Sequence, residues 1–329
     1  MKRRVCFLGL LMMSVAMLGA CTKKNPDVTF IMADVQEDGH PTAASSDYFA
    51  SQVSEKTNGR IKIEVYHGST LGSEADQVQQ VSVDGIDFAR VSSSAASVYC
   101  DDLKAFQALF LFSDDEQMWK VLDGKIGTEF LESQDFIKNS VEPLCWFSGG
   151  TRNFYNSKKE IKSVSDLSGL KFRVNTDSMF ALMDAVGARG QNIAYSDILS
   201  SLKDGVVDGA ENNWPSYMST NHYTQAKYIT IDQHSSVPEF IIASTQAMNE
   251  LSESDQKIIR ECAKEASTYQ RKAMSDYEKD AIETAKKAGC KVTELTEEEK
   301  AEFEKLAEPI NEKISSDYMD LINEIKAVK

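Results

Sequence analysis

The run Val28-Thr29-Phe30-Ile31-Met32-Ala33-Asp34-Val35, the turn Asp38-Gly39-His40-Pro41, and the alternating Ile61-Lys62-Ile63-Glu64-Val65 beyond Asn58-Gly59 decide the architecture. The first run is β-branched and apolar, and the last alternates apolar with charged residues at the two-residue period of a strand. Between them a helical pattern stops at Asn58-Gly59. Strand, helix, strand is therefore the opening order. Helical periodicity returns from Ser73 to Val83, and Ile86 to Ser92 reads as a further strand. The amino-terminal part is thus an α/β unit with a largely parallel sheet. A helix around Met118–Leu131 and a strand at Val141–Phe147 extend it.

From Gly149 a second α/β unit begins, with strands at Phe154–Asn156, Lys171–Val174 and Tyr228–Ile231 and helices at Ser178–Val186 and Asp197–Leu202. Glu239 to Thr245 returns as an apolar strand. From Ser252 to about Lys287 a helical pattern runs without proline or glycine, and Ser252 with Asp255 forms a capping box. A helix this long must serve more than one domain. The tail from Thr296 to Lys329 reads as two amphipathic helices separated near Pro309.

The amino terminus carries Lys2, Arg3 and Arg4, then an uncharged apolar stretch from Val5 to Leu18, then Leu18-Gly19-Ala20-Cys21. This is the pattern of an export signal. The stretch is shorter than the roughly 20 residues a membrane-spanning helix needs. Small residues ahead of a cysteine resemble the lipobox of bacterial lipoproteins, which assigns residues 1–20 to a cleaved signal and 21–27 to a lipid-anchored linker, with Cys21 the acylated residue. The expected location is the extracytoplasmic face of the cell membrane, reached by lipid anchor only.

Removing residues 1–20 leaves 309 residues, more than one core usually holds, so two domains are expected. The formal charge of −15 falls to about −18 once Lys2, Arg3 and Arg4 depart. That balance argues against a nucleic-acid partner, whose phosphates need clustered Lys and Arg. Any anionic ligand must be held by local positive groups, because the overall field repels it. Cys100, Cys145, Cys262 and Cys290 have no metal-binding spacing and are open to disulfide pairing or to burial as thiols.

His40, His67, His222 and His234 are scattered, so no metal site is expected, and no cofactor. There is no nucleophile elbow, phosphate loop or dinucleotide fingerprint, and nothing announces an enzyme. Three arginines stand apart instead, each on or beside a strand end: Arg90 in Phe88-Ala89-Arg90-Val91-Ser92, Arg152 in Gly149-Gly150-Thr151-Arg152, and Arg173 in Lys171-Phe172-Arg173-Val174. Strand ends are where α/β sheets bind ligands. A guanidinium presents a planar fork that grips a carboxylate with two bonds.

The segments Thr57-Asn58-Gly59-Arg60-Ile61-Lys62-Ile63-Glu64-Val65, Leu71-Gly72-Ser73-Glu74, Asp166-Leu167-Ser168-Gly169-Leu170-Lys171-Phe172-Arg173-Val174 and Gly205-Val206-Val207-Asp208-Gly209-Ala210-Glu211-Asn212-Asn213-Trp214-Pro215 resemble, in order, the DctP-type substrate-binding proteins of tripartite ATP-independent periplasmic (TRAP) transporters. The resemblance covers nearly all of the chain beyond the signal. It implies a two-lobed clamp of the periplasmic-binding-protein kind, ligand in the interlobe cleft, with a long helix bracing both lobes. Residues 28–149 with 238–277 form the first expected lobe, and 150–237 with 278–329 the second. By the same resemblance Arg173 forms the carboxylate salt bridge, assisted by Arg152 and Asn212, and membrane subunits of the transporter are the partners of a monomeric receptor. A proline-containing segment common in the family is replaced here by Phe106-Gln107-Ala108-Leu109.

A narrower resemblance bears on the ligand. Arg90-Val91-Ser92, Arg152-Asn153-Phe154-Tyr155-Asn156, Glu211-Asn212-Asn213-Trp214-Pro215-Ser216-Tyr217 and the stretch from His234 to Val237-Pro238-Glu239 look like the branch associated with hexuronates such as glucuronate and galacturonate. Arg90, Glu74, Asn175, Asn213 and Glu239 are then candidates for the sugar hydroxyls, and Trp214 for covering a sugar face. Each has a plainer reading too: Asn213 as a helix cap, Trp214 as core, Glu74 as a helix-terminal acid. The rivals are the same receptor for a C4-dicarboxylate or a sialic acid, a surface-anchored glycan hydrolase, and a structural lipoprotein. The hydrolase would need a cleft acid/base pair that the sequence does not display.

Overall fold

Alternation of apolar residues puts the strands into two sheets, seen in a computed structural model that describes residues 25–329. The expected signal segment and Cys21 lie outside the described residues. In chain order the strands are β1 (Val28–Asp34), β2 (Ile61–Tyr66), β3 (Phe88–Ser92), β4 (Val141–Phe147), β5 (Thr151–Asn156), β6 (Lys171–Arg173), β7 (Arg189–Gln191), β8 (Gly209–Asn212), β9 (Tyr228–Ser236), β10 (Glu239–Ser244) and β11 (Lys291–Glu294). The first sheet has the order β2-β1-β3-β10-β4 and the second β11-β9-β5-β8-β6-β7.

Both sheets are covered on both faces. In the first, Ala89, Phe240 and Ile242 contribute to one core and their neighbours Phe88, Ile241 and Ala243 to the other. In the second, Phe154 and Phe172 divide from Tyr155 and Ala210 in the same way. This is the period of two expressed as layers.

β1 pairs in parallel with β2 and with β3, as the opening crossover requires, but β10 is antiparallel to β3 and β4. The first sheet is therefore mixed rather than largely parallel. The reason is connectivity: β10 arrives from β9 of the second sheet through Val237-Pro238, so it enters at the edge where the parallel strands leave. β4 passes to β5 through Ser148-Gly149-Gly150 in the opposite sense. These two crossings touch. A Cβ on Gly149 would lie 2.1 Å from the Val237 carbonyl oxygen, and Gly150 has φ of +68°, a conformation that favours glycine.

The long helix, Glu253–Lys287, serves both sheets. Ile259, Cys262, Ala263 and Ala266 pack into the first sheet's core, and Ala281 and Ala285 into the second's. Between them, Gln270 accepts from the Ser148 amide at 3.0 Å and donates to its carbonyl at 2.7 Å, tying the helix to the crossing strand. Only half of the expected capping box forms. Ser252 Oγ accepts from the Asp255 amide at 3.2 Å, while the Asp255 carboxylate takes both arms of Arg60 at 3.0 and 2.6 Å.

Three helical expectations change. The Met118–Leu131 pattern is two helices, Asp115–Asp123 and Lys125–Leu131, because Gly124 between them is extended. Pro309 lies inside the helix Glu297–Ile314 instead of ending it. Phe303, Ala307 and Ile310 anchor that helix on both sides of the proline, and Asn311 exchanges two hydrogen bonds with the Leu109 backbone, so tertiary contacts outweigh the local preference. The break comes at Ser315, and the last helix, Met319–Ala327, buries Ile322 and Ile325 in the first sheet's core although the tail was expected with the second lobe. Cys100, Cys145, Cys262 and Cys290 are buried free thiols. No helix among the described residues is long and apolar enough to cross a membrane.

Candidate functional site

Carboxyl ends of the parallel strands and amino ends of the antiparallel ones meet along a cleft of about 470 Å³ between the two sheets. Arg173 is the last residue of β6 and Asn212 the last of β8. Arg152 is the second residue of β5, antiparallel to β8, and Glu239 the first of β10, paired with Ser92 of β3. Glu74 opens the helix Glu74–Ser82, whose N-cap, Ser73, also faces the cleft. Arg173, Arg152, Asn212, Arg90, Glu74, Asn213, Asn175 and Glu239 all line this one space.

Trp214 does not. It is 2% exposed in the second sheet's core, its ring edge-on to Tyr217, so the expected sugar-facing role is corrected to a packing role. It begins a helix whose first turn is pinned by Asn213, and that geometry turns the indole inward. Asn213 is engaged at both ends: Oδ1 accepts from the Ser216 amide at 2.7 Å and Nδ2 donates to the Gly149 carbonyl at 2.5 Å. It is a helix cap and a tie to the crossing strand.

The three arginines differ in what surrounds them. Arg90 is 1% exposed and meets three carboxylates, Asp34 Oδ1 at 2.9 Å, Glu74 Oε1 at 3.1 Å and Glu239 Oε1 at 3.2 Å. Burial works against its charge, but Asp34, Glu239 and Glu74 together overcome it and push its pKa up. Arg152 forks onto Glu211, with Nε to Oε2 at 2.5 Å and Nη2 to Oε1 at 3.0 Å, and donates through Nη1 to Asn212 Oδ1 at 2.9 Å. Arg173, 6% exposed, donates through Nε to the Ile193 carbonyl at 2.9 Å, and no carboxylate among the described residues comes within ion-pair distance of it. Burial, with Arg152 adding to it, outweighs the opposing pull of Glu211, Tyr155 and Tyr195 and lowers its pKa.

Glu211 is fully spoken for. His234 bridges Asp232 (Nδ1 to Oδ2, 2.7 Å) and Glu211 (Nε2 to Oε2, 3.3 Å), and its ring stacks on Phe154. Burial opposes the imidazolium, yet Asp232 and Glu211 raise its pKa to about 9. Burial likewise opposes the Glu211 carboxylate, yet Arg152 and His234 lower its pKa to about 2. Asp232, His234, Glu211 and Arg152 therefore form a charge-balanced chain, and the positive charge of Arg173 is left over on this wall.

Contacts cross between the walls of the cleft: the Tyr195 hydroxyl donates to Gln36 Oε1 at 2.9 Å, and His40 Nε2 lies 3.4 Å from Ser216 Oγ. His40 Nδ1 accepts from the Thr42 amide, and burial lowers its pKa to about 3, so the ring is neutral. The sequence reading passes over Gln36, Tyr195, Asp34 and Asp232. The one signal for Asp34 is an acid ending an apolar strand; Tyr195 opens a three-residue 3-10 turn, too short for any periodicity to mark it. A larger cavity of about 750 Å³, lined in part by Trp214, Glu278, Lys300 and Asn311, has no buried unpartnered side-chain atom among its described lining residues.

The family model for bacterial extracellular solute-binding protein family 7 (DctP) matches residues 32–317. A TRAP periplasmic solute binding protein from Xanthobacter autotrophicus, solved with β-D-galacturonate bound, is 32% identical, with a TM-score of 0.85 over 91% of this chain and 100% of its own. One from Chromohalobacter salexigens with bound D-glucuronate is 30% identical, with a TM-score of 0.86 over 91% and 100%. One from Sulfurospirillum deleyianum with bound succinate is 27% identical, with a TM-score of 0.86 over 92% and 100%.

Proposed function

The chain belongs to the bacterial extracellular solute-binding protein family 7, a binding family and not an enzyme family, and on that premise we propose that it is the receptor of a TRAP transporter and closes on a hexuronate. The observation that carries this reading is Arg173: a buried guanidinium at the cleft with no carboxylate among the described residues within ion-pair distance. A ligand carboxylate supplies the missing partner, gripped by two bonds. Asn175 stands beside it, and Asn212, oriented through Oδ1 by Arg152, keeps its amide nitrogen as a donor. Arg152 itself is largely occupied by Glu211, so its assistance is to hold Asn212 and the field in place. Glu74, Glu239, Gln36 and Tyr195 are the partners for sugar hydroxyls.

The two-lobed cleft with its crossing strands closes as a hinge about Gly149 and Gly150, and ligand binding favours the closed form because only that form makes all the contacts. Cys21 is the acylated residue that holds the receptor at the membrane, beside the transporter's membrane subunits, and the receptor works as a monomer. Fatty-acid labelling that persists in Cys21→Ala rules out that anchor.

Thermal denaturation with a ligand panel tests the reading. Glucuronate or galacturonate at 100 times its dissociation constant adds about 2.7 kcal/mol to the native state, a rise of several degrees. Glucose and galactose leave Arg173 unpaired and produce no shift. A shift with the neutral sugars and none with the uronates overturns it.

A further inference from the structure

The wall facing Arg173 carries more negative charge than it balances. Asp34, Glu74 and Glu239 converge on the single guanidinium of Arg90. Two of the three are satisfied elsewhere as well. Asp34 accepts from the Gln36 amide at 2.9 Å and from Ser46 Oγ at 2.8 Å. Glu74 accepts from the Ser92 amide at 3.0 Å and from Ser92 Oγ at 2.8 Å. Glu239 differs: it shares Arg90 through Oε1, and its Oε2 is buried with no hydrogen-bond partner. Such an atom costs free energy in the empty protein. It lies in a residue that lines the ligand cleft.

We propose that Glu239 sets the charge of the acceptable ligand: its orphan oxygen bonds a hydroxyl at the end remote from Arg173, and the surplus carboxylates there reject a ligand whose second end is also a carboxylate. The inference rests on the reading of Arg173 as the carboxylate clamp. A carboxylate is acceptor-only when ionised, so it suits a hydroxyl and repels another carboxylate. Like charges brought together at a desolvated contact repel strongly. The succinate-bound relative has a similar fold, so this discrimination lies in the wall's side chains and not in the architecture. Burial, with Glu74 and Asp34 adding to it against the pull of Arg90, raises the Glu239 pKa to about 7, and Arg152 also faces it. Below that pH Glu239 takes up a proton, the wall loses one negative charge, and the discrimination narrows.

Calorimetry on the protein with galacturonate and with galactarate, which keeps the hydroxyl-bearing carbons and adds a second carboxylate, tests this. The wild type binds galacturonate about a hundredfold tighter at pH 8.5, and the ratio falls about tenfold by pH 5.5. In Glu239→Gln, of nearly the same size, the ratio is about tenfold smaller at pH 8.5 and no longer varies with pH. Galacturonate bound by both proteins with the same ratio and the same pH profile overturns the assignment of Glu239 alone. Galacturonate bound by neither, or equally by the wild type and Arg173→Ala, overturns the clamp and this inference with it.

Discussion

Arg90 and Arg173 are chemically the same side chain, buried at 1% and 6% exposure on opposite walls of one cleft, yet their charge surroundings are opposite. Arg90 is enclosed by three carboxylates of the protein and is part of its structure. Arg173 has a backbone carbonyl and no carboxylate within ion-pair distance among the described residues. A desolvated cation without a counter-charge is costly, and on the proposed function a ligand anion relieves that cost. The difference teaches that burial alone does not tell a paired charge from one still open to a partner; the local charge balance does.

The comparison breaks most visibly at Arg90. Arg90→Ala leaves Asp34, Glu74 and Glu239 together without their cation, and the expected loss of folding stability is about 3–5 kcal/mol, read by urea denaturation without ligand. A variant as stable as the wild type means that Arg90 does not anchor the acidic wall. At Arg173 the balance reverses. Arg173→Met should weaken uronate binding by about 2–5 kcal/mol while the melting temperature of the empty protein stays the same or rises, since an unpaired buried charge is replaced by an apolar chain of similar length. Tight binding by this variant, or a fall in its unliganded melting temperature, contradicts the division of labour.

The chain that neutralises Arg152 has its own signature. His234 has its pKa raised from 6.5 to about 9, so its charged form stabilises the native state fully below about pH 6.5, and that contribution is lost as pH rises through about 9. Chemical denaturation from pH 7 to 9 should show a clearly steeper decline in the wild type than in His234→Gln. The same decline in both places the titration elsewhere. The smallest effect belongs to the contact across the cleft: Tyr195→Phe removes the hydroxyl that meets Gln36, worth about 0.5–1.5 kcal/mol, and should weaken uronate binding a few-fold without changing the preference for uronate over neutral sugar. An unchanged affinity means the closed form does not depend on that bond.

Much of this was legible in the residues themselves. The period-two runs become strands, the uninterrupted pattern from Ser252 becomes the helix Glu253–Lys287, and the arginines flagged at strand ends all reach the cleft. Of the residues expected in the site, Trp214 is the one the structure removes from the cleft, and Asn213 is diverted to the crossing strand, because both sit at a helix start where the cap geometry decides which way a side chain points.

Strand period, helix caps and the family's motifs are local: each is written within a few consecutive residues, so the sequence by itself determined them. The charge environment of each arginine is not local. Arg90 meets Asp34 across 56 residues and Arg152 meets Glu211 across 59, while Asn311 steadies the proline-containing helix by bonding Leu109 across 202. Only the tertiary structure decided which guanidinium is satisfied, which carboxylate oxygen is orphaned and where the tail divides, because burial and pairing are set by residues that the chain brings together only when it folds.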